Sequence, residues 1–228
     1  MSLQEQFGRI DIYLFDQLLR GNIAPGMRIL DAGCGHGRNL VYLLREGYEV
    51  FGLDASAEAI ANVRRMVKML APRLPDSNFQ VATIEAMPFP DSFADVVICN
   101  SVLHFARDDA HFNAMLNELW RVLRPGGVLF CRLASTIGSG PETGLQFEWI
   151  STPNSTRHFR LPDGTEWYLV DEALLLHLTR SLCANLVDPL KTTVVQAHRC
   201  MTTWVLRKDF GFAKRSHLLS ALSPHRSA

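Results

Sequence analysis

Asp31 stands two residues before Gly33-Cys34-Gly35-His36-Gly37, a run with glycine at every second position. Upstream lies the apolar pair Ile29-Leu30. Downstream, a second apolar stretch, Val50-Phe51-Gly52-Leu53, is closed by Asp54. Glycine adopts backbone angles that other residues resist and lets a ligand lie directly against the main chain. A buried strand, a glycine turn and a helix beginning near Arg38 make a binding loop for a nucleotide-like molecule. Two details bear on which one. A dinucleotide fingerprint, G-x-G-x-x-G, needs its third glycine where this chain has Arg38; the glycine comes one residue early, at Gly37. A carboxylate at the mouth of the loop, Asp31, would repel a pyrophosphate and attract a cation.

S-adenosylmethionine satisfies both details: it has no phosphate and carries an ammonium and a sulfonium. Further segments with the same bearing are Phe79-Gln80-Val81-Ala82-Thr83-Ile84-Glu85, Val96-Val97-Ile98-Cys99-Asn100-Ser101-Val102-Leu103-His104 and Leu123-Arg124-Pro125-Gly126-Gly127-Val128. With the glycine run and Asp54 they resemble the class I S-adenosylmethionine-dependent methyltransferases, over residues 29–133 with continuation to 208. The run Gly37-Arg38-Asn39 is similar to that of bacterial tellurite-resistance-type methyltransferases.

The resemblance implies roles. Asp31 would help hold the methionine end through the loop formed by Gly33, Cys34, Gly35, Gly37 and Arg38. Asp54, with Ala55 beside it, would hold both ribose hydroxyls, a task for a carboxylate because one group must accept from two donors. Ile84 would give adenine an apolar wall and a backbone N–H, with Glu85 adjacent; Thr83 stands where the family usually has aspartate. Asn100 and Ser101 would meet the cofactor. His104 would face the acceptor as the candidate general base, needed only if the acceptor arrives protonated. Cys34 is read as packing rather than as a nucleophile. His36 and Arg38 either touch the methionine carboxylate or cap the helix start. No metal site is expected.

The implied reaction is methyl transfer to a small-molecule acceptor by in-line displacement, mainly through proximity and alignment. Two other readings stay open: a cofactor-binding regulator or partner subunit without turnover, suggested by Thr83, and a nicotinamide oxidoreductase, opposed by Arg38 and Asp31.

Composition narrows the partners. The 228 residues, 47% hydrophobic, suffice for one sizeable core. Twenty-three basic and twenty-three acidic residues cancel, removing the bulk charge that nucleic-acid binding uses. Five scattered cysteines form neither a disulfide framework nor a metal pattern. No apolar run is long enough to span a membrane and no secretory leader is recognised, so a cytoplasmic setting is expected. The oligomeric state is left open.

Positioning these residues calls for alternating strands and helices. Strands are expected near 28–32, 49–53, 78–82, 94–99 and 127–133, and helices near 37–46, 56–71, 109–122 and 171–183. A closing antiparallel pair is expected near 190–197 and 200–208. That is an α/β, Rossmann-like, doubly wound, seven-stranded and mostly parallel sheet with helices on both faces. One leading helix over 3–20 is expected, with Phe7, Ile10, Leu14 and Leu18 on its apolar face and Asp11 and Tyr13 off it. The domain is read as 1–208. Within it, 134–170 forms a hairpin insertion turning at Asp163-Gly164, a lid or substrate wall. Residues 209–228 are read as a surface tail.

Overall fold

The computed structural model describes residues 2–152 and 154–210. Gly8 splits the leading segment in two. Helix α1 (Leu3–Phe7) starts from a reciprocal cap between Ser2 and Glu5 and stops at Gly8, whose φ is 66°. Helix α2 (Ile12–Leu19) restarts at Asp11, whose Oδ1 accepts the Tyr13 N–H. The single helix expected over 3–20 is therefore broken, and Asp11 becomes a cap in the break rather than a polar residue on an outer face.

From there β1 (Arg28–Ala32), α3 (Leu40–Arg45), β2 (Glu49–Asp54), α4 (Ala57–Leu70), β3 (Phe79–Val81), β4 (Ala94–Asn100), α5 (Asp109–Val122) and β5 (Leu123–Ser135) follow in turn. An inserted sheet of β6 (Glu148–Thr152), β7 (Ser155–Arg160) and β8 (Glu166–Tyr168) precedes α6 (Glu172–Ser181). The short β9 (Ala184–Leu186) and the long hairpin β10 (Lys191–Val195) and β11 (Arg199–Lys208) close the described chain. The main sheet runs β10-β11-β5-β4-β1-β2-β3, with β9 attached to β11 as an eighth strand beyond the seven expected. Strands β1 to β5 pair in parallel, and β11 is antiparallel to both its neighbours.

Alternate residues of the central strands serve two cores. Ile29, Val96 and Ile98 pack with Leu14 of α2, Leu40 of α3 and Val63 of α4. Leu30, Val97 and Cys99 pack with Phe112 and Leu116 of α5 and with Trp204. Both faces of a parallel sheet are covered in this way, so its strands read as continuous apolar runs. Strand order reverses between β1 and β4. The connections leaving these neighbours go to opposite sides, which opens a crevice at their carboxyl ends.

Three further expectations change. Helix α3 begins at Leu40, not near Gly37 or Arg38, because Gly37 and Leu40 still bond turn-fashion to Cys34 and Gly37. The Pro125-Gly126-Gly127 turn is absorbed into β5 as an irregularity in its register against β4. The insertion has three strands, not two: β6 adds to the hairpin that turns at Asp163-Gly164. It is pinned by the Arg157–Asp171 ion pair at 2.8 Å and a Ser155–Asp109 hydrogen bond at 2.8 Å. From residue 211 onward, the tail lies outside the described residues. Among the described residues no helix is long and apolar enough to cross a membrane.

Candidate active site

A cavity of about 680 Å³ occupies the crevice at the switch point. The loop after β1 hangs from β2: the Gly33 and Cys34 N–H groups both donate to the Leu53 carbonyl at 2.9 Å. The three glycines of this loop, all at positive φ, do different work. A Cβ on Gly33 would fall 2.5 Å from Val102, and one on Gly37 would fall 2.3 Å from the Met66 methyl on α4. One on Gly35 would meet no protein atom within 4 Å. Gly35 therefore presents bare backbone to the cavity. Gly37, expected to meet the ligand, instead allows close packing on α4 and is absent from the cavity wall.

Asp54 is fixed by the backbone around it. Its Oδ2 accepts the Gly35 N–H at 2.8 Å and its Oδ1 the Ser56 N–H at 2.9 Å. A carboxylate has about four acceptor sites, so both oxygens keep capacity for a ligand. Asp31 departs from expectation. It does not stand at the mouth of the loop but beneath it, 1% exposed and outside the cavity wall. Its Oδ2 is buried without a partner. Burial pushes its pKa up to about 7; the Arg38 charge opposes the rise and the Asp54 charge adds to it. Cys34 lines the cavity, but burial, then the Asp31 and Asp54 charges, raise its thiol far above the ordinary range. It stays protonated and is no nucleophile.

At the end of β4, Asn100 Oδ1 accepts from the Arg38 guanidinium and the Ser101 hydroxyl, each at 2.9 Å, while Asn100 Nδ2 is buried and unpaired. Across the cavity Ile84, Ala82, Leu53 and Met115 form an apolar wall that also carries Thr83, Ala55 and Glu85. Glu85 lies 3.3 Å from His111 Nε2. Burial works to raise the Glu85 carboxyl, but its own backbone N–H, the neighbouring His111 and the Thr83 hydroxyl hold it below the usual range. His111 and Arg107, both in the wall, were missed in the sequence. Asp108 caps α5 by accepting the His111 N–H at 2.7 Å, which sets His111 in the first turn at the crevice. A capping aspartate followed three residues later by histidine, after the fourth strand, is the signal that could have found it.

His104 lies in neither the loop nor this cavity. It lines a second chamber of about 300 Å³ that shares Arg38, Ser101 and Phe105 with the first. It is 3% exposed, with its ring 4.5 Å from Phe105 and 4.4 Å from Trp167. Its Nδ1 accepts the Ala134 N–H at 3.3 Å, so the neutral ring carries its proton on Nε2. Burial first and the Arg199 charge second push its pKa down to about 4. The candidate base therefore presents an N–H, not a lone pair, and has little appetite for a proton. The general-base role is not supported by this geometry.

Asp11 joins the two chambers to the N-terminal segment. Its buried Oδ2 is 2.5 Å from Arg132 Nη1 and 3.5 Å from Arg38 Nη2, and its N–H donates to Asn39 Oδ1 at 3.0 Å. The Tyr13 hydroxyl meets Thr193 at 2.8 Å, and its ring lies 5.0 Å from the Arg132 guanidinium. Helix α2 is thereby seated on β5 and β10.

A doubly wound sheet with a glycine loop, a carboxylate with spare acceptor sites and a cavity at the switch point defines a cofactor-binding domain of the nucleotide type. Comparison with known proteins resolves the kind. Residues 30–131 match the methyltransferase domain model. An uncharacterized methyltransferase of Synechocystis sp. is 34% identical over 116 residues, 50% of this chain and 51% of that protein. Malonyl-[acyl-carrier protein] O-methyltransferase of Serratia marcescens is 33% identical over 129 residues, 57% of this chain and 46% of that protein. The chain thus spans about half the length of the curated relatives it matches. In fold it is similar to the Burkholderia thailandensis 1,6-didemethyltoxoflavin-N1-methyltransferase solved with its substrate and S-adenosylhomocysteine. The TM-score is 0.64 at 18% identity, covering 90% of this chain and 84% of that one. Residues 30–131 are a methyltransferase domain, S-adenosyl-L-methionine is its cofactor, and the nicotinamide reading falls. The residues present suit that cofactor: an orphaned buried carboxylate oxygen for a cation, a glycine backbone open to the cavity, and a carboxylate with spare acceptor sites.

Proposed function

We propose that this protein methylates a small-molecule acceptor in the cytoplasm, using the larger cavity for S-adenosylmethionine and the smaller chamber for the acceptor. The observation that carries the reading is the junction of the two spaces at Arg38, Ser101 and Phe105, beside the glycine loop. When bound, the cofactor supplies a methyl group already activated by its sulfonium.

The chain's own residues then bind and align. Asp54 accepts from the ribose hydroxyls, with Ala55 beside it. Asp31, unpartnered and buried, is the acceptor for the ammonium. Gly33, Cys34 and Gly35 form the floor, and Gly37 sets the turn behind it. Arg38, Asn100 and Ser101 hold the methionine end next to the chamber. Ile84 packs on the adenine, and Glu85, steadied by His111, accepts from its exocyclic amine. This answers the substitution at Thr83: the same wall keeps a carboxylate two residues on, so the motive for a non-catalytic regulator weakens. Trp167 from the inserted sheet walls the chamber, which supports reading 134–170 as a wall of the acceptor site. Alignment of an acceptor against an activated carbon can contribute ~7–11 kcal/mol of barrier reduction without a covalent enzyme intermediate. The five cysteines are all free, four of them buried, in keeping with a reducing compartment.

Calorimetry with S-adenosylhomocysteine on the parent and on Asp54→Ala tests this reading. Loss of the hydrogen bonds to this charged group is expected to weaken binding by at least about 1.5–3 kcal/mol, roughly 10- to 150-fold. Equal affinity in the variant would remove the ribose assignment, and no binding to the parent would remove the reading.

A further inference from the structure

The charge of the smaller chamber is lopsided. Arg38, Arg132 and Arg199 line it, and among the described residues no acidic side chain does. Asp11, behind the wall, is shared between Arg132 and Arg38. The side chain of Arg199, exposed at the start of β11, makes no hydrogen bond or ion pair among the described residues. Arg132 Nε is buried and also without a partner. A guanidinium is planar and always charged, with donors spaced to meet a carboxylate in pairs. Buried donors without partners are rare and call for an acceptor.

Among the described residues the same chamber has no free proton acceptor on a histidine or carboxylate. Histidine is the usual choice, and His104 gives its Nδ1 to the Ala134 N–H. Its Nε2–H and the aromatic face of Trp167 instead offer a donor and a flat wall. A hydroxyl or ammonium acceptor, which must shed a proton, finds no group here to take it. An acceptor already ionised needs none.

Resting on the methyl-transfer reading above, we infer that the Arg132–Arg199 chamber admits a carboxylate-bearing small molecule and that a carboxylate oxygen is the methylated atom. The step balances without a base. The oxygen's lone pair forms the new bond to the methyl carbon as the carbon–sulfur bond breaks and its electron pair stays on sulfur. A neutral methyl ester and a neutral thioether result, and no proton moves. The guanidiniums hold and orient the anion, and their pull on it ends when the product becomes neutral, which favours release.

The test is calorimetry on the full chain with benzoate, cinnamate and hexanoate, each against its carboxamide, with and without saturating S-adenosylhomocysteine. At least one acid is expected to bind 10-fold or more tightly than its amide. Arg199→Met is expected to weaken that acid 10-fold or more, with Arg199→Lys recovering part of the loss. Arg132→Met probes the inner donor, and because it also breaks the Asp11 pair its fold is checked by circular dichroism. Acids that bind no better than amides, or an Arg199→Met variant that binds them like the parent, overturn the proposal. If S-adenosylhomocysteine fails to bind while acids still outbind amides, the cofactor reading falls and the anion chamber stands. Radiolabelled methyl transferred to the acid must appear as volatile methanol after alkaline hydrolysis. Alkali-stable label alone overturns the assignment to a carboxylate oxygen.

Discussion

The two chambers were assembled by different means. The larger draws its floor from one short run, residues 33–36 with Arg38, and its other walls from the segments that follow β2, β3 and β4 and from α5. Its critical donors and acceptors are backbone groups, or side chains held by backbone groups, as Asp54 is by Gly35 and Ser56. The smaller is built from Arg38 and side chains on the β4–α5 connection, β5, the inserted sheet and the β10–β11 hairpin, which are scattered along the chain from residue 38 to residue 201. A common ligand can be read by a fixed backbone; a particular acceptor is read by side chains that distant segments happen to converge. That contrast explains why the cofactor is identifiable here from local pattern while the proposed acceptor chamber is not.

The contrast can be broken or sharpened by substitution. The largest effect is expected at Gly33, where alanine meets both a positive φ and Val102 at 2.5 Å. A stability loss on the order of 2–4 kcal/mol in urea denaturation is expected from strain and overpacking together. Gly35→Ala should separate binding from folding. Its Cβ meets no protein atom, so S-adenosylhomocysteine affinity is expected to fall about 10-fold while the unfolding midpoint moves only by the positive-φ cost of ~1 kcal/mol. An equal loss of both would deny that this glycine faces the ligand.

Asp31 gives an effect of intermediate size with a definite sign. Its pKa in the folded chain, about 7, lies above its ordinary 3.8. Between these values the folded state holds the proton that the unfolded state has released, so this residue's contribution to stability is lost as pH rises through 7. Asp31→Asn is expected to stabilise the ligand-free chain at pH 8 and to weaken cofactor binding. In the parent, binding a cation favours the ionised form. Affinity should therefore climb from pH 5.5 to about 7 and then level off, with proton release in calorimetry at pH 6. A flat affinity profile would sever Asp31 from the ligand.

The smallest effect concerns the base. His104→Asn is expected to change turnover by less than about 10-fold and to leave the pH–rate profile between 6 and 9 unaltered, because the native ring already sits neutral with Nδ1 occupied. A lost inflection would restore the base.

The strands, the order of their connections and the cofactor loop were legible because each depends on near neighbours. Apolar runs of strand length alternate with capped helices, and Ser56, Asp108 and Asp171 cap where their residue types suggested. Less was legible wherever one local pattern admitted two outcomes. Gly8 could interrupt or simply weaken a helix, and its contact with Val41 on α3 accompanies the break. Strand β6 carries no clean alternation of its own and forms by pairing with β7. Among the site residues, Asp54, Ile84, Glu85, Asn100 and Ser101 line the cavity. Asp31 does not, because a residue at the end of a central strand can be sealed by the very loop it precedes. Gly37 does not, because α4 lies close enough to claim it.

By itself the amino-acid order determined the parallel α/β scaffold, the glycine loop and the match of that loop to a cationic adenosyl ligand. These follow from periodicity, from steric freedom at glycine and from the sign of a charge, all of which act over a few residues. Tertiary structure alone decided that Asp31 is sealed beneath the loop, that Asp11 crosses the molecule to Arg132 and Arg38, and that His104 spends its lone pair on Ala134. Burial and pairing depend on which distant segments close over a group, and no local pattern specifies that.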